Sequence, residues 1–195
     1  MKLSTKRGLA AIAAALLPSA AFAHPSLNHV ADVTQGFAHP LTGLDHILAM
    51  GAVGSFAFML GGRARWLLPA SFIAMMAVGG LLGMQGIAVP FVEAGIAASL
   101  VVLGLAVALG WRPSVAVAMG VTGLFAVFHG HAHGTEMPLD ASGLEYGIGF
   151  MVATAFLHAS GLFFGAAVTR FGQAALRVAG AVVSLAGVGL LSGLI

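Results

Sequence analysis

Long apolar runs separated by short polar breaks make up nearly all of the chain. The first run, residues 8–17, follows Lys2, Lys6 and Arg7 and leads past Pro18 to Ala21-Phe22-Ala23. A basic head, an apolar middle and a small-x-small end form the pattern of a cleavable secretory signal. Residues 1–23 are therefore expected to be removed, leaving His24 at the mature N-terminus, outside the cytoplasm. An uncleaved anchor is the competing reading, but the apolar stretch 9–23 holds about 15 residues where a crossing helix needs about 20.

Six further apolar segments follow, at about 41–61, 66–84, 91–109, 114–128, 143–168 and 174–194. Each approaches the roughly 20 residues that carry a helix across about 30 Å of hydrocarbon. The expected fold is all-α: an integral membrane bundle of six transmembrane helices after a cleaved signal peptide, with residues 24–195 forming one metal-transport domain. Glycines recur four residues apart at Gly79/Gly83, Gly143/Gly147 and Gly161/Gly165, a spacing that lets membrane helices approach closely.

Charge gives the bundle a direction. Hydrophobic residues are 59% of the chain and charged residues 7%, and the mean hydropathy is +1.03, which excludes an ordinary soluble domain. The pI near 9.7 hints at nucleic acid, yet three of the eight basic residues lie in the signal. No nucleic-acid partner is expected. With the mature N-terminus outside, the loops after the first, third and fifth spans are cytoplasmic and should hold Lys and Arg. They hold Arg63 and Arg65, Arg112, and Arg170 and Arg177. The same map puts Asp32, Glu93, Glu136, Asp140 and Glu145 outside, Asp45 about one turn inside, and the C-terminus outside. The expected location is the bacterial inner membrane, multi-pass, with both mature termini periplasmic.

Cysteine is absent, so no thiolate ligand or disulfide is available. Histidines instead gather with acids toward the outer side. Before and within the first span stands His39-Pro40-Leu41-Thr42-Gly43-Leu44-Asp45-His46, with Met50 beyond. Pro40 suits a first helical turn, which sets His39 at the helix mouth. His46 and Met50 then follow at close to two and three turns, nearly on one stripe. Asp45, about 100° from His46, either binds metal or fixes the tautomer of a ligating imidazole. A structural Asp45–His46 pair is the alternative, and Met50 is read as packing.

The fourth span ends in Phe128-His129-Gly130-His131-Ala132-His133-Gly134-Thr135-Glu136-Met137-Pro138. Imidazole and carboxylate at this density suit nickel, zinc or copper. On a continuous helix His129 and His133 share a face and His131 points away. Gly130, Gly134 and Pro138 argue that the helix frays here, and a loop would make the cluster a flexible collector. Glu93, at the outer end of the third span, either closes the site or is a helix-start carboxylate favoured by the dipole. His158, near the middle of the fifth span, is either an inner relay ligand or a buried structural histidine. His24, with its free amine, and His29 are lower-affinity collectors.

At His39-Pro40-x-x-Gly43-x-Asp45-His46-x-x-x-Met50 and His129-Gly-x-Ala-His133-Gly-x-Glu136-x-Pro138, the sequence resembles the HupE/UreJ family of hydrogenase and urease accessory membrane proteins. The signal, the six spans and the length agree with that resemblance. It implies permeation of Ni2+ from periplasm to cytoplasm for nickel–iron hydrogenase or urease maturation. It also implies that His39, Asp45, His46, His133 and Glu136 carry the metal, while Glu93 rests on topology alone. No permanently bound cofactor is expected; the divalent metal is cargo, and the partners are that ion, the lipid bilayer and maturation proteins. Two other classes stay open, neither of them transport: an intramembrane zinc-dependent hydrolase, which has no HExxH or GxSxG support here, and a metal-binding scaffold or sensor.

Overall fold

The structure is a computed structural model that describes residues 29–137 and 141–194. The expected cleavage site and His24 lie outside the described residues, as does the side chain of His29. Every element among the described residues is helical. The order is α1 (His29–Ala38), a 3-10 turn (His39–Leu41), α2 (Leu44–Leu60), α3 (Ala64–Met84), α4 (Val92–Ala108), α5 (Val115–Glu136), α6 (Gly143–Val168), a second 3-10 turn (Thr169–Phe171) and α7 (Gln173–Leu191).

Each of the six expected apolar segments forms a helix, from α2 to α7, but they differ in reach. Helices α3, α5, α6 and α7 are long and apolar enough to cross a membrane. Helices α1 and α2 pass that test only together, as a pair bent by 80° at the break between them. Helix α4, at 17 residues, is shorter than the roughly 20 that a crossing needs. Four helices thus meet the requirement of a span, or five with the bent pair counted as one, and to that extent the expected six spans are borne out.

Two local expectations change. The first span starts at Leu44 rather than residue 41, because Gly43 takes an extended conformation (φ −90°, ψ 119°) as the N-cap of α2. Pro40 does occupy a first turn, but that of the 3-10 segment, where its missing N–H is harmless. Thr42 closes this turn by donating its hydroxyl to the His39 carbonyl at 2.7 Å. The second change is in α5, which runs unbroken through the histidine cluster to Glu136. It does not fray at Gly130.

The reason lies in the packing of α5 on α3. A β-carbon at Gly79 would meet the backbone of Val127, and one at Gly83 the backbone of His131 and Thr135. In return, Gly130 lies on the backbone of Met76 and Gly80, and Gly134 on that of Gly80. Small residues on both sides let the two backbones touch, and this burial outweighs the weak helix propensity of glycine, about 1 kcal/mol per residue against alanine. Gly161 of α6 likewise lies on Gly51 of α2. Gly143 and Gly147 do not act this way. Gly143 faces the flexible ends of Met84 and Met137, and Gly147 faces open space.

Polar contacts tie the acidic end of the bundle together. Asp32 of α1 accepts from the backbone N–H of Ser142 at 2.9 Å, which holds α1 over the start of α6. At the opposite end Trp111 stacks on Phe56 at 6.0 Å, and Gly110 abuts the Arg177 side chain. Arg65 lies over the ring of Phe58 at 5.7 Å. Arginines therefore collect where α2 and α4 end and α7 begins.

Candidate metal site

The 80° bend between α1 and α2 delivers His39 to the same mouth as Asp45 and His46, by a route that the sequence does not announce. His39 is not on the stripe of α2, since the helix is interrupted between them. Its ring instead meets the end of α5: His39 Nε2 lies 3.2 Å from Glu136 Oε2, and the His39 and His133 ring centroids are 4.7 Å apart. His133 Nδ1 lies 3.6 Å from the same Glu136 oxygen. One ligand atom from each of His39, His133 and Glu136 falls within 4.8 Å of the others. Two imidazoles and a carboxylate at this separation suit a divalent transition metal.

Deeper in, His46 makes a second set of contacts. Asp45 Oδ1 accepts from the His46 backbone N–H at 2.9 Å and lies 3.2 Å from His46 Nδ1. An ionised carboxylate only accepts, so this contact places the His46 ring proton on Nδ1 and leaves Nε2 with its lone pair. His46 Nε2 lies 3.1 Å from His129 Nδ1, and it is in short contact with His133 Nε2. His129 and His133, four residues apart on α5, therefore share the face that the periodicity predicts. Both are buried, His129 completely.

Of the two roles open to Asp45, the geometry favours holding its neighbour His46 rather than reaching outward. Gly43 matters to this pair. A β-carbon there would stand 2.7 Å from Asp45 Oδ1 and 3.3 Å from His46 Nδ1.

The mouth opens as a cavity of about 200 Å³ lined by His39, Thr42, Gly43, Asp45, His46, Glu93, Ile96, Ala132, His133 and Glu136. Glu93, in the first turn of α4, is exposed and borders this cavity. Below, the fully buried Phe72 of α3 contacts His129 at 5.7 Å and His158 at 5.1 Å between ring centroids. His158 is 1% exposed, and among the described residues neither of its ring nitrogens has a hydrogen-bond partner. A structural histidine bonded to neighbouring backbone would show such a bond, and His158 makes none among the described residues. Met50 packs in the core.

His131 points elsewhere, as helical phase requires: its Nε2 bonds the Ile87 carbonyl at 2.8 Å. One contributor escaped the sequence. Ser99 of α4, fully buried, lies 2.9 Å from His129 Nε2. A serine in an apolar helix carries no mark of such a role.

This constellation of His39, Asp45, His46, His129, His133 and Glu136 draws on both histidine motifs at once. Residues 12–190 match the family described as HupE / UreJ protein. The chain belongs to the HupE/UreJ family. It is 48% identical over 185 residues to a protein of Rhizobium leguminosarum bv. viciae named Protein HupE, covering 93% of this chain and 95% of the relative. No solved structure matches the chain.

Proposed function

We propose that this HupE/UreJ protein is a permease for a divalent metal ion, Ni2+, which it passes from the periplasm to the cytoplasm of a bacterium across the inner membrane. The ion then serves maturation of nickel–iron hydrogenase or urease. The observation that carries the reading is the pairing of His39, His133 and Glu136 at an open mouth with the buried His46–His129 contact directly beneath. Acids at the rim attract the cation. Imidazoles then replace part of its water shell, and ligands shared between neighbouring positions favour onward passage over trapping. An ionisable side chain near the middle of a membrane costs about 2.5 to 3.5 kcal/mol on insertion scales and marks ion paths by default. Buried imidazoles along α5 and α6 agree with such a path, from His129 past Phe72 to His158.

Nitrogen and oxygen ligands alone do not separate Ni2+ from Co2+, Zn2+ or Cu2+; the choice of nickel rests on family membership. Uptake of radioactive nickel into proteoliposomes tests the proposal. The intact protein should accumulate nickel, and Asp45→Asn and His46→Ala should each lower the rate by at least about 10-fold, the scale on which ligands and their supports act. Normal uptake by both variants would remove the site assignment, and metal binding without uptake would make the protein a scaffold.

A further inference from the structure

Ser99 has a single hydroxyl proton, and its position is determined by the Ile96 carbonyl, which accepts it at 2.6 Å. Toward His129 the serine oxygen is therefore an acceptor. The 2.9 Å contact then requires the His129 proton to be on Nε2, which leaves the Nδ1 lone pair directed at His46. His46, held by Asp45 through Nδ1, directs the lone pair of Nε2 back. Two acceptor nitrogens face each other at 3.1 Å in a place where His129 is fully buried. With His46 neutral this arrangement is repulsive unless a cation, a proton or a metal ion, stands between them. With a metal ion it is favourable: two imidazole nitrogens about 2.1 Å from one ion, at the right angles of a square-planar or octahedral centre, stand about 3 Å apart.

We propose that His46 Nε2 and His129 Nδ1 form a distinct inner binding station for a divalent transition-metal ion, and that Ser99 is the positioning residue that aims His129 at it. The inference rests on the permease reading only for its direction of flow; the station itself is a matter of binding. His133 joins it to the outer cluster, since its Nδ1 faces Glu136 and its Nε2 faces His46. Each ring nitrogen of His133 belongs to one station. A neutral imidazole has one free lone pair, so His133 serves the two stations in turn, through opposite tautomers, and its ring proton changes nitrogens as an ion passes from one to the other.

The test uses the full mature protein in lipid nanodiscs, titrated with Co2+, whose visible bands report its ligand set. Ser99→Thr and Ser99→Val are nearly identical in shape and differ in the hydroxyl. The threonine variant should bind Co2+ with the spectrum and affinity of the original protein. The valine variant should bind about 10- to 100-fold more weakly, with the spectrum of His129→Ala. Ser99→Val added to His129→Ala should change nothing further, as coupled residues behave. Equal effects of threonine and valine would reduce Ser99 to packing and overturn the inference, as would an unchanged spectrum in both Ser99→Val and His129→Ala. The two readings fail separately. Absent nickel uptake with this binding pattern intact would remove the permease and leave the inner station. Uptake that depends on Asp45 and His46, with a wild-type Co2+ spectrum in Ser99→Val, would do the reverse.

Discussion

Three histidines stand within five positions of one helix, yet their surroundings give each a different use. His129 is held through Nε2 by Ser99, His131 through Nε2 by the Ile87 carbonyl, and His133 faces the Glu136 carboxylate through Nδ1 and the His46 imidazole through Nε2. A backbone carbonyl is an obligatory acceptor, so the proton of His131 is committed to Nε2, on a ring aimed away from the mouth. His131→Ala should therefore keep nickel uptake within about 2-fold of the original protein, at a stability cost of about 1 to 3 kcal/mol for the carbonyl left unpaired. His133→Ala should abolish uptake, because it removes a ligand of the outer cluster and the link to the inner contact together. Uptake and thermal unfolding of the two variants, measured side by side, check the contrast; loss of transport in His131→Ala would show that the helical phase assigns the wrong histidine. At this scale much was legible from sequence, since the metal-binding residue types are rare in so apolar a chain and stand adjacent to one another. Ser99 was not, because its role comes from a neighbour 30 positions away.

At the scale of elements, the site depends on α5 staying helical through Gly130 and Gly134. Local propensity favours fraying there, and the contact with α3 reverses the outcome. That reversal makes a sharp prediction. In a free helix Gly130→Ala would be stabilising by about 1 kcal/mol, but here the added methyl would overlap the Met76 carbonyl, a backbone group with no freedom to move aside. Overpacking of this kind costs about 1 to 3 kcal/mol, so Gly130→Ala should lower the unfolding temperature in detergent and weaken metal binding as α5 moves off α3. Gly147→Ala, in open space, should leave both unchanged or raise the unfolding temperature slightly. The sequence suggests the opposite assignment, Gly130 as a fraying signal and Gly147 as a packing glycine; only the partner helix reverses it. The break at Thr42 and Gly43 was hidden for a related reason. An apolar run does not record an 80° bend, and the histidine stripe from His39 to Met50 assumed one continuous helix where there are two pieces.

For the whole molecule, the distribution of charge decides what the mouth is for. His39, Glu93 and Glu136 line it at one end, while the five arginines of the described residues lie in or beside the turns at the other. Basic loops remain in the cytoplasm during insertion, so the mouth should face the periplasm and nickel should move inward. A green fluorescent protein inserted between α4 and α5, beside Arg112, should fluoresce, since it matures in the cytoplasm. An alkaline phosphatase inserted between α3 and α4, near Ile87, should be active, since it folds outside. Helix α4, at 17 residues as short as α2, lies between these two insertion points, and the pair of reporters asks directly whether it crosses. If α4 only dips into the bilayer, both insertions report the same side, and the arginines after it could not all be cytoplasmic. If both reporters are inverted, the histidine mouth opens to the cytoplasm. The same ligand set would then collect metal from inside the cell, and the direction proposed for the permease would have to be reversed while the binding site stayed as it is.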